Sequence, residues 1–113
     1  MFTVEAHFGK SSPTVRSVYE KLLQVSLAFG PVVEDPKKTS IHLNRRFAFA
    51  AIKTRRNFLI LTVKAAGDID SERITKHEQT SPNRWHHEIK LGSPDDVDSQ
   101  IARWLRDAYD LSG

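Results

Sequence analysis

Hydrophobic positions along this chain recur with two different periods. Val15, Val18, Leu22, Val25 and Phe29 stand three and four residues apart, with Arg16, Glu20, Lys21 and Gln24 between them. That spacing puts the apolar set on one stripe of a helix. Ser12-Pro13 opens it, serine suiting the cap and proline the first helical position, and Gly30-Pro31 closes it. The pattern therefore predicts a helix over about 13–29. A second stripe, Val97, Ile101, Trp104, Leu105 and Ala108 with Leu111, follows Ser93-Pro94-Asp95-Asp96. It predicts a helix over about 94–110 with two carboxylates at its positive end.

Between the helices the period falls to two. Segments 39–43, 47–53 and 58–63 read as strands, and Trp85 to Leu91 alternates with Trp85, His87, Ile89 and Leu91 inward and His86, Glu88 and Lys90 outward. Residues 71–79 fit an edge strand near 73–78 or one helical turn, and the strand is preferred. Residues 1–11 form a lead-in with Phe2, Val4 and Phe8 available to pack, and Val32 to Lys38 reads as a linker. The whole predicts one α+β domain over 1–113, with an antiparallel sheet of four to five strands flanked by an N-terminal and a C-terminal helix. At 113 residues the chain suits a single core.

The turn between the second and third strands sets the register. Read as a three-residue loop, Arg55-Arg56-Asn57 closes with Asn57 left-handed and sets Thr54 opposite Phe58. Phe47, Phe49 and Ala51 then share a face with Leu59, Leu61 and Val63. Ala48, Ala50, Ile52, Phe58, Ile60 and Thr62 share the other. Both faces are apolar in this register, so the second needs a cover. Either Phe2, Val4 and Phe8 with the linker cover it, or one helix covers each face, or those six residues are a candidate face for a ligand, a protein partner or a second copy in a homodimer.

Several short stretches together resemble a known family. Glu5-Ala6-His7-Phe8-Gly9-Lys10 precedes the capped helix, then come Lys38-Thr39-Ser40-Ile41 and Phe47-Ala48-Phe49-Ala50. Trp85-His86-His87, Ser93-Pro94-Asp95 and Asp107-Ala108-Tyr109 complete the set. Over nearly the whole chain these resemble the bacterial domain of unknown function 5655. The resemblance implies an α+β domain of bacterial, cytosolic origin. It assigns no reaction, so no catalytic residues carry over.

Charge is unevenly spread. The net is +3, yet twelve Lys/Arg stand against five Asp/Glu from Lys37 to Lys90, while the rest of the chain has five against nine. Lys37, Lys38, Arg45, Arg46, Lys53, Arg55 and Arg56 cluster at strand ends and are candidates for binding an anionic ligand, nucleic acid included. No aromatic platform for base stacking stands out beside them, and neither helix reads as groove-reading.

The sequence excludes more chemistry than it suggests. Without cysteine there are no disulfides, thiolate sites or cysteine nucleophiles, and a reducing cytoplasm is expected. No run approaches the roughly 20 apolar residues that span a bilayer, and the start lacks a secretory pattern, so no membrane association is expected. Nucleophile-elbow, phosphate-loop and dinucleotide motifs are absent. The candidates for a metal are His42, His77, His86 and His87, but His86 and His87 point to opposite faces and no HxH or HExxH spacing occurs. No metal, cofactor or catalytic residue is expected, and His87 reads as a half-buried sheet residue with a satisfied ring nitrogen. The expectation is a non-catalytic binding or interaction module for an anionic ligand or protein partner. The alternative is a metal-dependent, nuclease-like hydrolase using Glu88, Lys90 and Asp70, with His86 beside them.

Overall fold

A computed structural model describes residues Met1–Gly113. The first stripe forms α1, Pro13–Leu27, with Val15, Val18, Tyr19 and Leu22 buried. It stops short of Phe29, which turns back to pack its ring 5.7 Å from Tyr109. Gly30 then adopts φ +150°, and a Cβ there would lie 2.5 Å from the Tyr109 hydroxyl. That hydroxyl donates to the Pro31 carbonyl at 2.9 Å, so only glycine lets the chain pass.

Six strands follow: β1 Val33–Pro36, β2 Ile41–Asn44, β3 Ala48–Thr54, β4 Leu59–Ala65, β5 Ile74–Ser81 and β6 Arg84–Leu91. All neighbours pair antiparallel, in the order β1-β2-β3-β4-β6-β5. The fold is thus α+β with a helix at each end, and its sheet has one strand more than expected. The extra strand is β1, drawn from the stretch read as a linker. It lies on an edge, where Pro36 costs no ladder bond. The ambiguous segment is β5, the opposite edge, almost wholly exposed after Ile74.

The register differs from the expected one by a single residue. Thr54 pairs with Leu59, and the Arg55 amide bonds to the Phe58 carbonyl at 2.8 Å, so the loop holds four residues. Such a loop needs no left-handed residue, and no non-glycine residue in the chain has positive φ. Because side chains alternate, the slip exchanges the faces. Ala50 and Ile52 lie beside Val63 and Leu61 in the core, while Ala51 and Lys53 lie beside Thr62 and Ile60 on the other side. A bulge opposite Asn44 adds Phe49 to the buried side, edge-on to Tyr109 at 5.3 Å.

One cluster of 21 residues therefore forms the core, between one sheet face and both helices. The second helix, α2, is Ser99–Asp110. It starts later than expected because the Ser93-Pro94 signal caps a separate single turn, Pro94–Asp96, by a reciprocal Ser93–Asp96 capping box. Asp98 caps α2 itself, accepting from the Ile101 amide at 3.1 Å. Burial, and then the neighbouring Glu34 that accepts from it at 2.6 Å, push the Tyr19 hydroxyl pKa far up. No helix is long and apolar enough to cross a membrane.

Candidate functional site

Three connections meet at the end of the sheet where β2 begins and β3 ends. They are the segment running through the 3-10 turn Glu5–Phe8 to Ser11, the β1–β2 turn, and the β3–β4 loop. Hydrogen bonds to backbone carbonyls hold them together. The Ser12 amide and the Ser11 hydroxyl donate to the carbonyls of Arg56 and Arg55, each at 2.7 Å. The Thr54 hydroxyl donates to the His7 carbonyl, and His7 Nε2 lies 2.8 Å from the Lys37 carbonyl.

These contacts enclose an open cleft of about 960 Å³. His7, Lys10, Lys38, Arg55 and Arg56 line it, with the hydroxyls of Ser11, Thr39 and Thr54, and no carboxylate does. Lys10, Lys38, Arg55 and Arg56 form no ion pair anywhere in the protein. The start of α1 follows two residues after Ser11, with no acid in its first turn and no side-chain cap. Unpaired cations beside a positive helix end raise the local potential for an anion.

The other expected cations lie elsewhere. Lys37 pairs with Asp35 at 2.9 Å. Its ammonium, followed by the Asn44 amide, holds the Asp35 carboxyl below the usual carboxylate range. Lys53 projects from the uncovered sheet face. Arg45 and Arg46 sit in the β2–β3 turn, at the far end. Arg45 lies 4.5 Å over the Tyr109 ring and Arg46 5.5 Å over Phe47.

The six-residue apolar face is not assembled. Ala50 and Ile52 are core, and Phe58 lies in the hairpin loop under the Lys90 ammonium at 4.2 Å. The Ala48 carbonyl accepts from the Ser112 hydroxyl. Ile60 and Thr62 remain on the uncovered face among polar neighbours, and Ala48 lines the depression there. A shallow depression of about 330 Å³ there is lined by residues including His42, Lys53, Lys64, Lys76, His86 and Glu88. Partial burial, and then the nearby Arg84 charge, lower the Lys64 pKa.

Nor do Glu88, Lys90 and Asp70 converge. Glu88 pairs with Lys76 at 3.9 Å, Lys90 covers Phe58, and Asp70 makes no hydrogen bond or ion pair with either. The loop after β4 instead delivers Asp68 to the helix-covered side. There its Oδ1 lies 2.7 Å from His77 Nδ1 and 2.9 Å from His87 Nε2. Hydrogen bonding to His87, then to His77, holds the Asp68 carboxyl below the usual range.

His87 is completely buried rather than half-buried, and its Nδ1 has no partner. Trp85 stacks on it at 5.9 Å with planes 8° apart. Sequence spacing carried no sign of this group, because His77 and His87 meet only through the β5–β6 register. The available signal was His87 itself, an imidazole on the inward side of an alternating strand.

Residues 4–112 match the family model described as "Domain of unknown function (DUF5655)". No curated protein and no solved structure matches the chain. A match over nearly the full length, on a fold of the expected α+β class, places this chain in that family of domains of unknown function, 5655.

Proposed function

We propose that this chain is a non-catalytic binding module whose ligand carries phosphate or similar anionic groups and docks in the cleft between the N-terminal segment and the β1–β2 and β3–β4 turns. One observation carries this reading: Lys10, Lys38, Arg55 and Arg56 surround a cleft without a carboxylate, and none has an ion-pair partner. Elsewhere Arg16, Lys37, Arg73, Lys76 and Arg106 each pair with a carboxylate, whereas no carboxylate lines this cleft. Leaving four cations unpaired in one place is unfavourable by mutual repulsion unless an anion offsets it. The absence of cysteine supports a reducing compartment, the cytoplasm, as the place of action.

The test is fluorescence anisotropy of a labelled single-stranded oligonucleotide, with inorganic tripolyphosphate as competitor. Phosphate contacts by all four cations would make log K fall against log salt with a slope of about −3. The Arg55→Ala, Arg56→Ala double variant is expected to lose at least about tenfold in affinity, a loss of roughly 1.4 kcal/mol. Arg46→Ala, at the far end of the sheet, is expected to bind as the wild type does. No binding at low salt, binding indifferent to salt, or equal losses in both variants would refute the assignment.

A further inference from the structure

Ten positions separate His77 from His87 in the chain, yet antiparallel pairing of β5 with β6 sets them directly opposite each other. Their ring centroids lie 5.2 Å apart, edge to face. The carboxylate of Asp68 closes the group from the loop after β4. One ligand atom from each of the three lies within 4.8 Å of the other two.

The polar roles at His87 Nε2 conflict. The Ile69 amide, a donor, reaches it at 3.3 Å, while the Asp68 carboxylate, an acceptor, reaches it at 2.9 Å. A single imidazole nitrogen offers either a proton to the carboxylate or a lone pair to the amide. A cation between the carboxylate and the two rings would receive lone pairs from all three.

We propose that Asp68, His77 and His87 bind one divalent transition-metal ion, with Zn²⁺ as the representative species. Two imidazole nitrogens and one carboxylate oxygen suit Zn²⁺ and its first-row neighbours. Ca²⁺ and Mg²⁺ prefer all-oxygen sites. The group combines one fixed ligand with two adjustable ones. His87 has 0% side-chain exposure and is clamped by Trp85, whereas Asp68 and His77 are 52% and 36% exposed.

That freedom is needed. Bonds of about 2.0–2.2 Å in a tetrahedral site set ligand atoms roughly 3.3–3.5 Å apart, so the Asp68 oxygen must move about 0.6–0.8 Å away from His77 Nδ1 and about 0.4–0.6 Å away from His87 Nε2. Three protein ligands leave one position for water or a small ligand. Asp68 also lines a cleft of about 450 Å³ with Lys64, Trp104, Asp107 and Asp110, which gives the ion a route to solvent. His87 Nδ1 has no acceptor to orient it. Losing such an outer partner costs about 10–100-fold in metal affinity, so the site is weaker than a fully supported one.

The experiment uses tag-free protein stripped with a chelator and titrated with Co²⁺, followed by displacement with Zn²⁺. The wild type is expected to take up one equivalent of Co²⁺ with the visible absorption of a low-coordinate site, bleached by Zn²⁺. Asp68→Asn and His77→Ala, both at accessible positions, are expected to keep the wild-type far-ultraviolet circular dichroism and lose at least tenfold in affinity. His86→Ala, one residue from His87 but on the opposite face, is expected to bind normally. Three results would overturn the proposal: no saturable single-equivalent uptake by the wild type, wild-type affinity in either ligand variant, or an equal loss in His86→Ala.

Discussion

Replacing Ile52 with alanine removes three carbons from a side chain with no solvent exposure, flanked across the sheet by Ile41 and Leu61. At about 0.8 kcal/mol per buried carbon, transfer alone costs roughly 2.4 kcal/mol. The cavity left beneath two helices brings the expected loss to about 3–4 kcal/mol. Ile60 loses the same atoms on substitution, but it sits half-buried between Lys53 and Lys90 on the uncovered face. Its loss should stay below about 1 kcal/mol. With an unfolding entropy near 2.1 cal/mol/K per residue, 113 residues give about 4 °C per kcal/mol. Thermal unfolding followed by circular dichroism should therefore show Ile52→Ala down by roughly 12–16 °C and Ile60→Ala by less than about 4 °C. Equal shifts, or a larger shift for Ile60→Ala, would refute the four-residue hairpin loop and the single-sided core built on it.

Two further positions test local features of the fold. Gly30→Ala should destabilise by about 2–3 kcal/mol, because its φ of +150° strains any side chain and the new Cβ meets the Tyr109 hydroxyl. Tyr109→Phe should relieve part of that loss, visible as non-additivity in a double-mutant cycle measured by urea unfolding. The Ile101 amide, and after it Arg73, hold the Asp98 carboxyl below the usual carboxylate range. Its folded-state value is thus depressed, so its contribution is complete above the unfolded value of roughly 3.9 and disappears as pH falls through the folded one. Asp98→Asn keeps a capping oxygen and should flatten that part of the acid limb in stability measured between pH 2 and 6, a range chosen to bracket roughly 3.9. An unchanged acid limb would show that Asp98 does not contribute to it.

Both helices and every strand with strong alternation were legible, because their periods repeat over enough residues to survive an error at any one of them. Trp85 to Leu91 shows this: its inward set follows from its own alternation, without reference to its neighbours. Pairing was less legible. Whether Phe58 belongs to the strand or to the loop is decided by one amide–carbonyl bond, Arg55 to Phe58. Alanine at 48, 50 and 51 gave no contrast between faces from which to choose. That single residue moved Ala50 and Ile52 into the core and dissolved the apolar face that had implied a partner. β1 was illegible for a related reason: Glu34 and Asp35 lack β propensity, and the strand exists because β2 offers an edge. The cation cluster was half legible. Lys38, Arg55 and Arg56 could be selected by type, but only the closure of the N-terminal segment over them separates these three from Arg45 and Arg46.

The two sites lie at opposite ends of β4. Leu59 follows the hairpin loop that carries Arg55 and Arg56, and Ala65 precedes the loop that carries Asp68. A seven-residue strand spans about 20 Å at 3.3–3.4 Å per residue. That distance is about two Debye lengths at 0.1 M salt, so charge placed at one end is largely screened at the other. It also exceeds the roughly 7–10 Å within which substitutions couple through shared contacts. The core between them, Leu59, Leu61 and Val63, is fully packed and offers no second arrangement to carry a signal. The anion binding proposed at the basic end and the metal binding proposed at the histidine end are therefore expected to be independent, so the test of either can be read without correction for the other.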